Sequence, residues 1–240
     1  MLADAAHSIG ASARGVPVGR LADVTVFSLH SVKNVTTGEG GAICLHLPQP
    51  FDDEAELAGL RALALNGQTK SAFEKNQPGA WRYDIVEFGL KVNLPDVNAA
   101  IGLAQIRKYQ AELLPDRLRI VDRYRAAFAG KPWAILPPTS VDGRESSRHL
   151  FLLRIAGADE AMRDRIIERI SAREVGVNVH YLPMPMLTLF RERGFRVADY
   201  PVAVDLYRNE ITLPVYNGLT DAQVDEVVAA VSEAVEAELP

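Results

Sequence analysis

Phe27-Ser28-Leu29-His30-Ser31-Val32-Lys33-Asn34-Val35-Thr36-Thr37-Gly38-Glu39-Gly40-Gly41 stands between two apolar runs, with Val24 and Val26 before it and Ala42, Ile43, Cys44 and Leu45 after it. The pattern predicts strand, irregular loop, strand, with one lysine held in the loop between two buried elements. Burial disfavours a charged ammonium, so the amine of Lys33 is expected to titrate lower than usual. A neutral amine in a dry site is a nucleophile suited to bonding a carbonyl carbon. Taken alone, a lysine at a strand end is either such a nucleophile or a solvated cation.

The chain has 240 residues, 48% of them hydrophobic and 24% charged. That is an ordinary globular composition, enough for one large core or two modest ones. A net charge of −5 argues against a general nucleic-acid or membrane-surface binder. Arg117, Arg119, Arg123 and Arg125 are interleaved with Asp116 and Asp122, which predicts a solvated helix face. Cys44, the single cysteine, excludes an intrachain disulfide and suits a reducing cytoplasm. In a buried strand it is expected to act as a small core residue. No stretch resembles a signal peptide, and no apolar run is long enough to span a bilayer. His7, His30, His46, His149, His180 and the carboxylates show no metal-ligand spacing, so no metal is expected.

The stretch quoted above closely resembles the Schiff-base segment of the pyridoxal-phosphate-dependent nucleotide-sugar aminotransferases of the DegT/StrS type, which runs F-S-[FL]-H-x-x-K-N-[ILV]-[ST]-x-[GA]-E-G-G. Dehydratase relatives carry histidine where this chain has Lys33. Residues 1–10, beginning Met1-Leu2-Ala3-Asp4-Ala5-Ala6-His7, resemble the family's [IV]-E-D-[AC]-A-[HQ]-[AS]-x-G at the end of an internal strand. The resemblance implies that Asp4 pairs with the pyridine nitrogen, that His7 lies on the ring's 3-hydroxyl side, and that Lys33 holds the cofactor. Ser28 is then the expected phosphate ligand, because a hydroxyl donates to a phosphate oxygen without adding charge.

The implied fold is α/β: the later portion of a fold-type-I PLP-transferase large domain over 1–114, with a small C-terminal α+β domain over 115–240. A domain-sized front segment of the family, including much of the parallel sheet, has no counterpart in this chain.

Elsewhere, apolar spacing predicts an amphipathic helix over 52–65, and polar composition a mobile loop over 66–83. Residues 89–100 resemble G-x-[NK]-x-[RN]-[ML]-x-[DE]-[ILV]-[QN]-A-A. Lys91 and Asn93 stand where the commoner form has Asn and Arg, a variant similar to the 4-amino-arabinose-lipid branch. By resemblance this segment crosses the dimer interface to the other subunit's phosphate. Ala99, Ala100, Gly102 and Ala104 would let a neighbouring helix approach closely.

Further helices are predicted over 116–128 and 159–173, and strands over 149–155 and 175–180. Thr220 is the expected cap of a last helix with a valine stripe. His149 is expected to be structural, and His180 to face substrate.

The implied reaction moves an amino group from glutamate to a keto nucleotide-sugar, for cell-surface polysaccharide, lipopolysaccharide or antibiotic sugars. The implied enzyme is a cytoplasmic homodimer with shared active sites, its partners these small molecules rather than nucleic acid or membrane. The alternative is a truncated or split chain, inactive until a separate N-terminal half covers its exposed strand edge.

Overall fold

Val24, Thr25 and Val26 are β-branched residues suited to a pleated strand, and they form one in the computed structural model, which describes residues 1–70, 78–79 and 81–239. In chain order the elements used below are β1 (Leu2–Asp4), β2 (Ser12–Ala13), β3 (Val16–Pro17), β4 (Val24–Ser28), β5 (Gly41–Leu45), α1 (Asp53–Ala64), α2 (Asp96–Lys108), α3 (Leu114–Phe128), β6 (Ala134–Ile135), β7 (Ser140–Val141), β8 (Arg144–Glu145), β9 (Phe151–Ile155), α4 (Glu160–Ser171), α5 (Thr188–Glu192), α6 (Pro201–Tyr207), β10 (Glu210–Leu213) and α7 (Asp221–Glu238). The chain divides into two units: residues 1–109 with 143–147, and residues 110–142 with 148 onward.

In the first unit β4 is the central strand. It runs parallel to β1, with Asp4 opposite Val26, and antiparallel to β5, with Ser28 opposite Gly41. β2 and β3 form a hairpin whose turn residues Arg14 and Gly15 both have positive φ, as a primed turn requires, and β8 pairs with the other side of β2. α1 begins at Asp52, whose carboxylate accepts the Glu54 N–H at 3.0 Å.

The second buried strand predicted from the sequence is not found. β5 is exposed at four of its five positions, and Cys44 is exposed rather than a core residue. As the edge strand of a three-stranded sheet, β5 presents alternate side chains to two faces, and burial would need a layer on each. Of the unit's described apolar side chains, Ala5, Ala22, Leu29, Val35 and Tyr109 are buried. Of the loop expected over 66–83, residues 71–77 and 80 lie outside the described residues. Single bridges join Gln68 to Ile85 and Leu65 to Lys91 around it.

The second unit has a closed core. β9 lies between β10 and β6, antiparallel to both, with Leu153 opposite Ile211 and Ala134 opposite Ile155. The period of two along β9 turns Phe151, Leu153 and Ile155 inward, and the 3.6-residue period of the helices supplies Tyr124, Phe128, Ile166, Ile170, Val224 and Val231 to the same cluster. Thr220 and Gln223 form a reciprocal capping box on α7.

Two expectations fail here for identifiable reasons. Residues 175–180 make no strand, only one bridge from Asn178 to Thr212. The next two N–H groups are taken by side chains: that of Val179 by Asn178 Oδ1 at 2.7 Å, and that of His180 by Glu210 at 2.9 Å. Such local acceptors compete with a ladder.

Nor is the arginine run of α3 only a solvated face. Arg117 is 4% exposed and donates to the carbonyls of Arg148 and Val215 at 3.1 and 3.2 Å. Arg119 and Arg123 pair with Asp116, Asp221 and Asp225. Burial alone would raise the Asp116 carboxyl, but the Gly218 N–H and Arg119 outweigh it and hold it below the usual range.

Truncating fully buried Ile166 to Ala is expected to cost about 2–5 kcal/mol, whereas Ile43→Ala on exposed β5 should change stability by less than about 0.5 kcal/mol. Urea unfolding checks both, followed by Trp133 fluorescence in a Trp81→Phe background for Ile166→Ala and by circular dichroism for Ile43→Ala.

Candidate active site

β1 and β4 are parallel, so the segments that follow them leave from the same end of the sheet, where ligands bind in α/β folds. Asp4 closes β1 and Ser28 closes β4. Lys33 follows in a turn whose N–H meets the His30 carbonyl at 2.9 Å. Asp4 Oδ1 accepts the Ala6 N–H at 3.0 Å, which orients the exposed carboxylate. Ser28 Oγ accepts the His30 N–H at 3.3 Å. The His7 carbonyl accepts the Ser147 hydroxyl at 2.6 Å. Lys33 is half-buried, so the first unit's described residues do not enclose it as the flanking apolar runs suggested.

The lysine loop is irregular, and its backbone is held by side-chain amides. Asn34, beside the lysine and 5% exposed, donates to the carbonyls of Ile9 at 3.1 Å and Ser147 at 2.9 Å, and to the Tyr109 hydroxyl at 3.4 Å. From α2, Gln105 pairs twice with Thr36, accepting its N–H at 3.1 Å and donating to its carbonyl at 2.8 Å. Asn98 donates to the Thr37 carbonyl at 2.6 Å. Leu29, Val35 and Thr37 are buried beneath these contacts.

Gly102 lets α2 come this near, since a Cβ there would lie 2.7 Å from Thr37 Cγ2. At this position the small residues of α2 therefore admit the lysine loop, not the neighbouring helix expected from the sequence. Gly40 is likewise constrained, with φ of 153° and a built Cβ 2.5 Å from Thr37 Oγ1.

Asn34, Asn98, Gln105, Tyr109 and Ser147 were not legible as parts of this site. Asn34 lies inside the motif, but its partners are 25 to 113 residues away in sequence. Only proximity in the fold assigns it a role.

The donor set suits pyridoxal phosphate: a carboxylate able to accept from a protonated ring nitrogen, a hydroxyl for the phosphate, and an amine for the aldehyde carbon. All three sit at one sheet end. Lys91 and Asn93 are both exposed and hydrogen-bonded to each other.

His180 lies in the second unit. Its Nδ1 is 2.8 Å from Thr212 Oγ1, and its main-chain N–H donates to Glu210. Burial, the largest influence, pushes the Glu210 carboxyl above its ordinary range, against the pull of the Thr212 hydroxyl, the His180 N–H and the Arg163 charge. His149 is buried. Among the described residues, no group of three or more His, Cys, Asp or Glu side chains could hold a metal ion, and no helix is long and apolar enough to cross a membrane.

The model of the DegT/DnrJ/EryC1/StrS aminotransferase family matches residues 1–232. The chain belongs to that family, as the Lys33 segment implied. The spore coat polysaccharide biosynthesis protein SpsC of Bacillus subtilis is 31% identical over 239 residues, covering 98% of this chain and 59% of that protein. Spr1654 of Streptococcus pneumoniae, a candidate sugar aminotransferase solved in its PMP form, superimposes with a TM-score of 0.91 at 40% identity, over 99% of this chain and 59% of that one. Spr1654 has also been solved in a PLP form. Helicobacter pylori PseC, an aminotransferase involved in the biosynthesis of pseudoaminic acid, superimposes with a TM-score of 0.84 at 25% identity, over 98% of this chain and 59% of that one. The fold is thus the mixed α/β fold of sugar aminotransferases, and the chain spans about three fifths of the length of these relatives.

Replacing Gln105 with Leu removes both of its bonds to Thr36 and leaves two backbone groups to find other partners. Amide hydrogen exchange in residues 29–40 should accelerate, with a local stability loss of about 1–3 kcal/mol. Hydrogen exchange with mass-spectrometric readout checks this.

Proposed function

We propose that this chain is the later part of a pyridoxal-phosphate-dependent sugar aminotransferase that moves an amino group from glutamate to a keto group on a nucleotide-linked sugar. The products would serve cell-surface polysaccharide, lipopolysaccharide or antibiotic-sugar synthesis. On this reading residues 1–114 are the later portion of the cofactor-binding large domain and 115–240 the small domain. The observation that carries the proposal is the placing of Asp4, Ser28 and the Lys33 turn at the carboxyl ends of two adjacent parallel strands, within a family of aminotransferases.

When bound, the cofactor supplies an aldehyde carbon and a ring that takes up electrons as a Cα proton leaves. The Asp4 carboxylate would accept a hydrogen bond from the ring N–H and keep that nitrogen protonated. Ser28 Oγ would donate to the phosphate, and His7 would lie on the 3-hydroxyl side. Lys33 Nζ would hold the cofactor's aldehyde carbon, and its amine would serve as the base and the acid that carry the proton. The amide contacts of Asn34 and Gln105 keep the lysine's loop in one conformation while its side chain moves. His180 meets the sugar.

The reading includes a cytoplasmic homodimer in which Lys91 and Asn93 of one protomer reach the cofactor phosphate of the other. The exposed apolar side chains Phe88, Val92, Val97 and Ile101, in and just before α2, support a covering second copy.

A second reading is favoured by a specific feature. A cavity of about 490 Å³ beside the sheet is lined by Met1, Leu2, Ile43, Leu45, Phe51 and Leu60 among others. This supports a chain that is active only with a further segment packed there, on the same polypeptide or as a separate N-terminal half.

Mixing the chain with pyridoxal phosphate should give a visible absorbance band that glutamate bleaches, and borohydride should fix the cofactor's mass on Lys33. Lys33→Ala should abolish both signals, and Asp4→Asn should lower turnover in the complete enzyme by at least about 100-fold. A mass fixed elsewhere, or unchanged in Lys33→Ala, sinks the assignment. A band that forms only after adding the front segment of a relative selects the second reading.

A further inference from the structure

Between its ends, α2 carries its polar side chains inward and its apolar ones outward. Asn98, Gly102 and Gln105, with Tyr109 just past the helix, recur every three or four residues and so share one face. That face is engaged with the lysine loop along its length. Asn98 donates to the Thr37 carbonyl, Gly102 lies against Thr37, and Gln105 pairs with both backbone groups of Thr36. The Tyr109 hydroxyl donates to the Ile9 carbonyl at 2.8 Å and accepts from the Asn34 amide. Just before the helix, Leu94 continues the line: a Cβ built on Gly40 would lie 2.9 Å from its Cδ1.

The outward side is different. Val97, Ala100, Ile101 and Ala104 form an exposed stripe at helical spacing, with Val97 75% and Ile101 46% exposed. No charge interrupts residues 97–106, whereas Asp96 opens the helix and Arg107 and Lys108 close it. A helix facing water has the opposite arrangement, so the stripe suits a partner. The end charges indicate which one. Opposite charges at the two ends of one helix complement an antiparallel copy of that helix, as a two-fold contact requires. In the register that sets Asp96 against Lys108, Ile101 lies across from Ala104, large against small, and Ala100 lets the two axes approach. The methylene stem of Lys108 then falls on Val97 of the other copy.

We propose that α2 pairs antiparallel with α2 of a second copy, and that this pairing holds the Lys33 loop through the opposite face of the same helix. The inference rests on the homodimer reading above, and adds which surface makes the contact and what the contact does. The inner face can hold the loop only while α2 is itself ordered. A helix of 13 residues with an apolar side in water is marginal by itself, and burying that side against its copy stabilises it. Association and order of the lysine loop are therefore coupled. By linkage, anything that binds and fixes the loop also tightens the pair.

The test combines sedimentation velocity with amide hydrogen exchange on the full chain, without cofactor. The unaltered chain should dimerise, and exchange of residues 29–40 should slow at least about fivefold from dilute monomer to dimer. Ile101→Glu, on the exposed stripe, should give a monomer whose loop exchanges at the dilute rate at every concentration. Asp96→Lys sets like charges at both ends of the pair and should weaken it, and adding Lys108→Asp should restore it. A dimer that Ile101→Glu or Asp96→Lys leaves intact, or a charge swap that restores nothing, overturns the α2 contact and leaves the homodimer reading standing. Loop exchange that does not follow association overturns the coupling, and this comparison across concentrations needs no variant to fold. A chain that is monomeric at every concentration overturns the homodimer reading and this inference together, leaving the stripe to another occupant.

Discussion

The side-chain amide of Asn34 is the point from which the candidate active site hangs. An irregular loop has no ladder to take up its backbone groups, and a buried polar group without a partner costs more than a typical hydrogen bond contributes. Here the partners come from elsewhere in the first unit: the carbonyls of Ile9 and Ser147 for Asn34, and Gln105 and Asn98 of α2 for Thr36 and Thr37. Each contact is worth about 1 kcal/mol net. Together they hold the backbone on both sides of Lys33 while leaving its side chain to move. The proposed role of Lys33 would use that combination: a fixed base and a free tip.

The two units meet the problem of burial differently. The second has a closed core in which one face of β9 is covered by α3, α4 and α7. The first places its chemistry on a sheet whose edge strand β5 is exposed and whose neighbouring cavity is apolar. Hydrophobic burial is the main source of stability, so a sheet with so few buried side chains is poorly stabilised by its own elements.

Some of this was legible in the sequence for local reasons. Lys33, Ser28 and the glycines after them lie within one short stretch, and a motif of that kind carries its own geometry. The last helix and its Thr220 cap, and the inward residues of β9, follow from periods of 3.6 and two. What failed depended on neighbours distant in the chain. Cys44 and Ile43 have the composition of a buried strand, but burial belongs to the layer opposite. Arg117 belongs to a charged run, yet it is buried because three carbonyls converge on its guanidinium. Residues 175–180 alternate as a strand should, but Asn178 and Glu210 take the donors that a ladder requires.

The sequence by itself determined the family and the α/β character of the chain, and marked Lys33, Ser28 and Asp4 as its candidate site residues, because these reside in residue type and short-range spacing. The tertiary structure alone decided which amides hold the lysine loop, that β5 stands exposed, and that Glu210, Thr212 and His180 hydrogen-bond to one another. Each of these is a relation between atoms brought together by folding, and a hydrogen bond of 2.8 Å between residues 32 positions apart leaves no mark on the spacing of either.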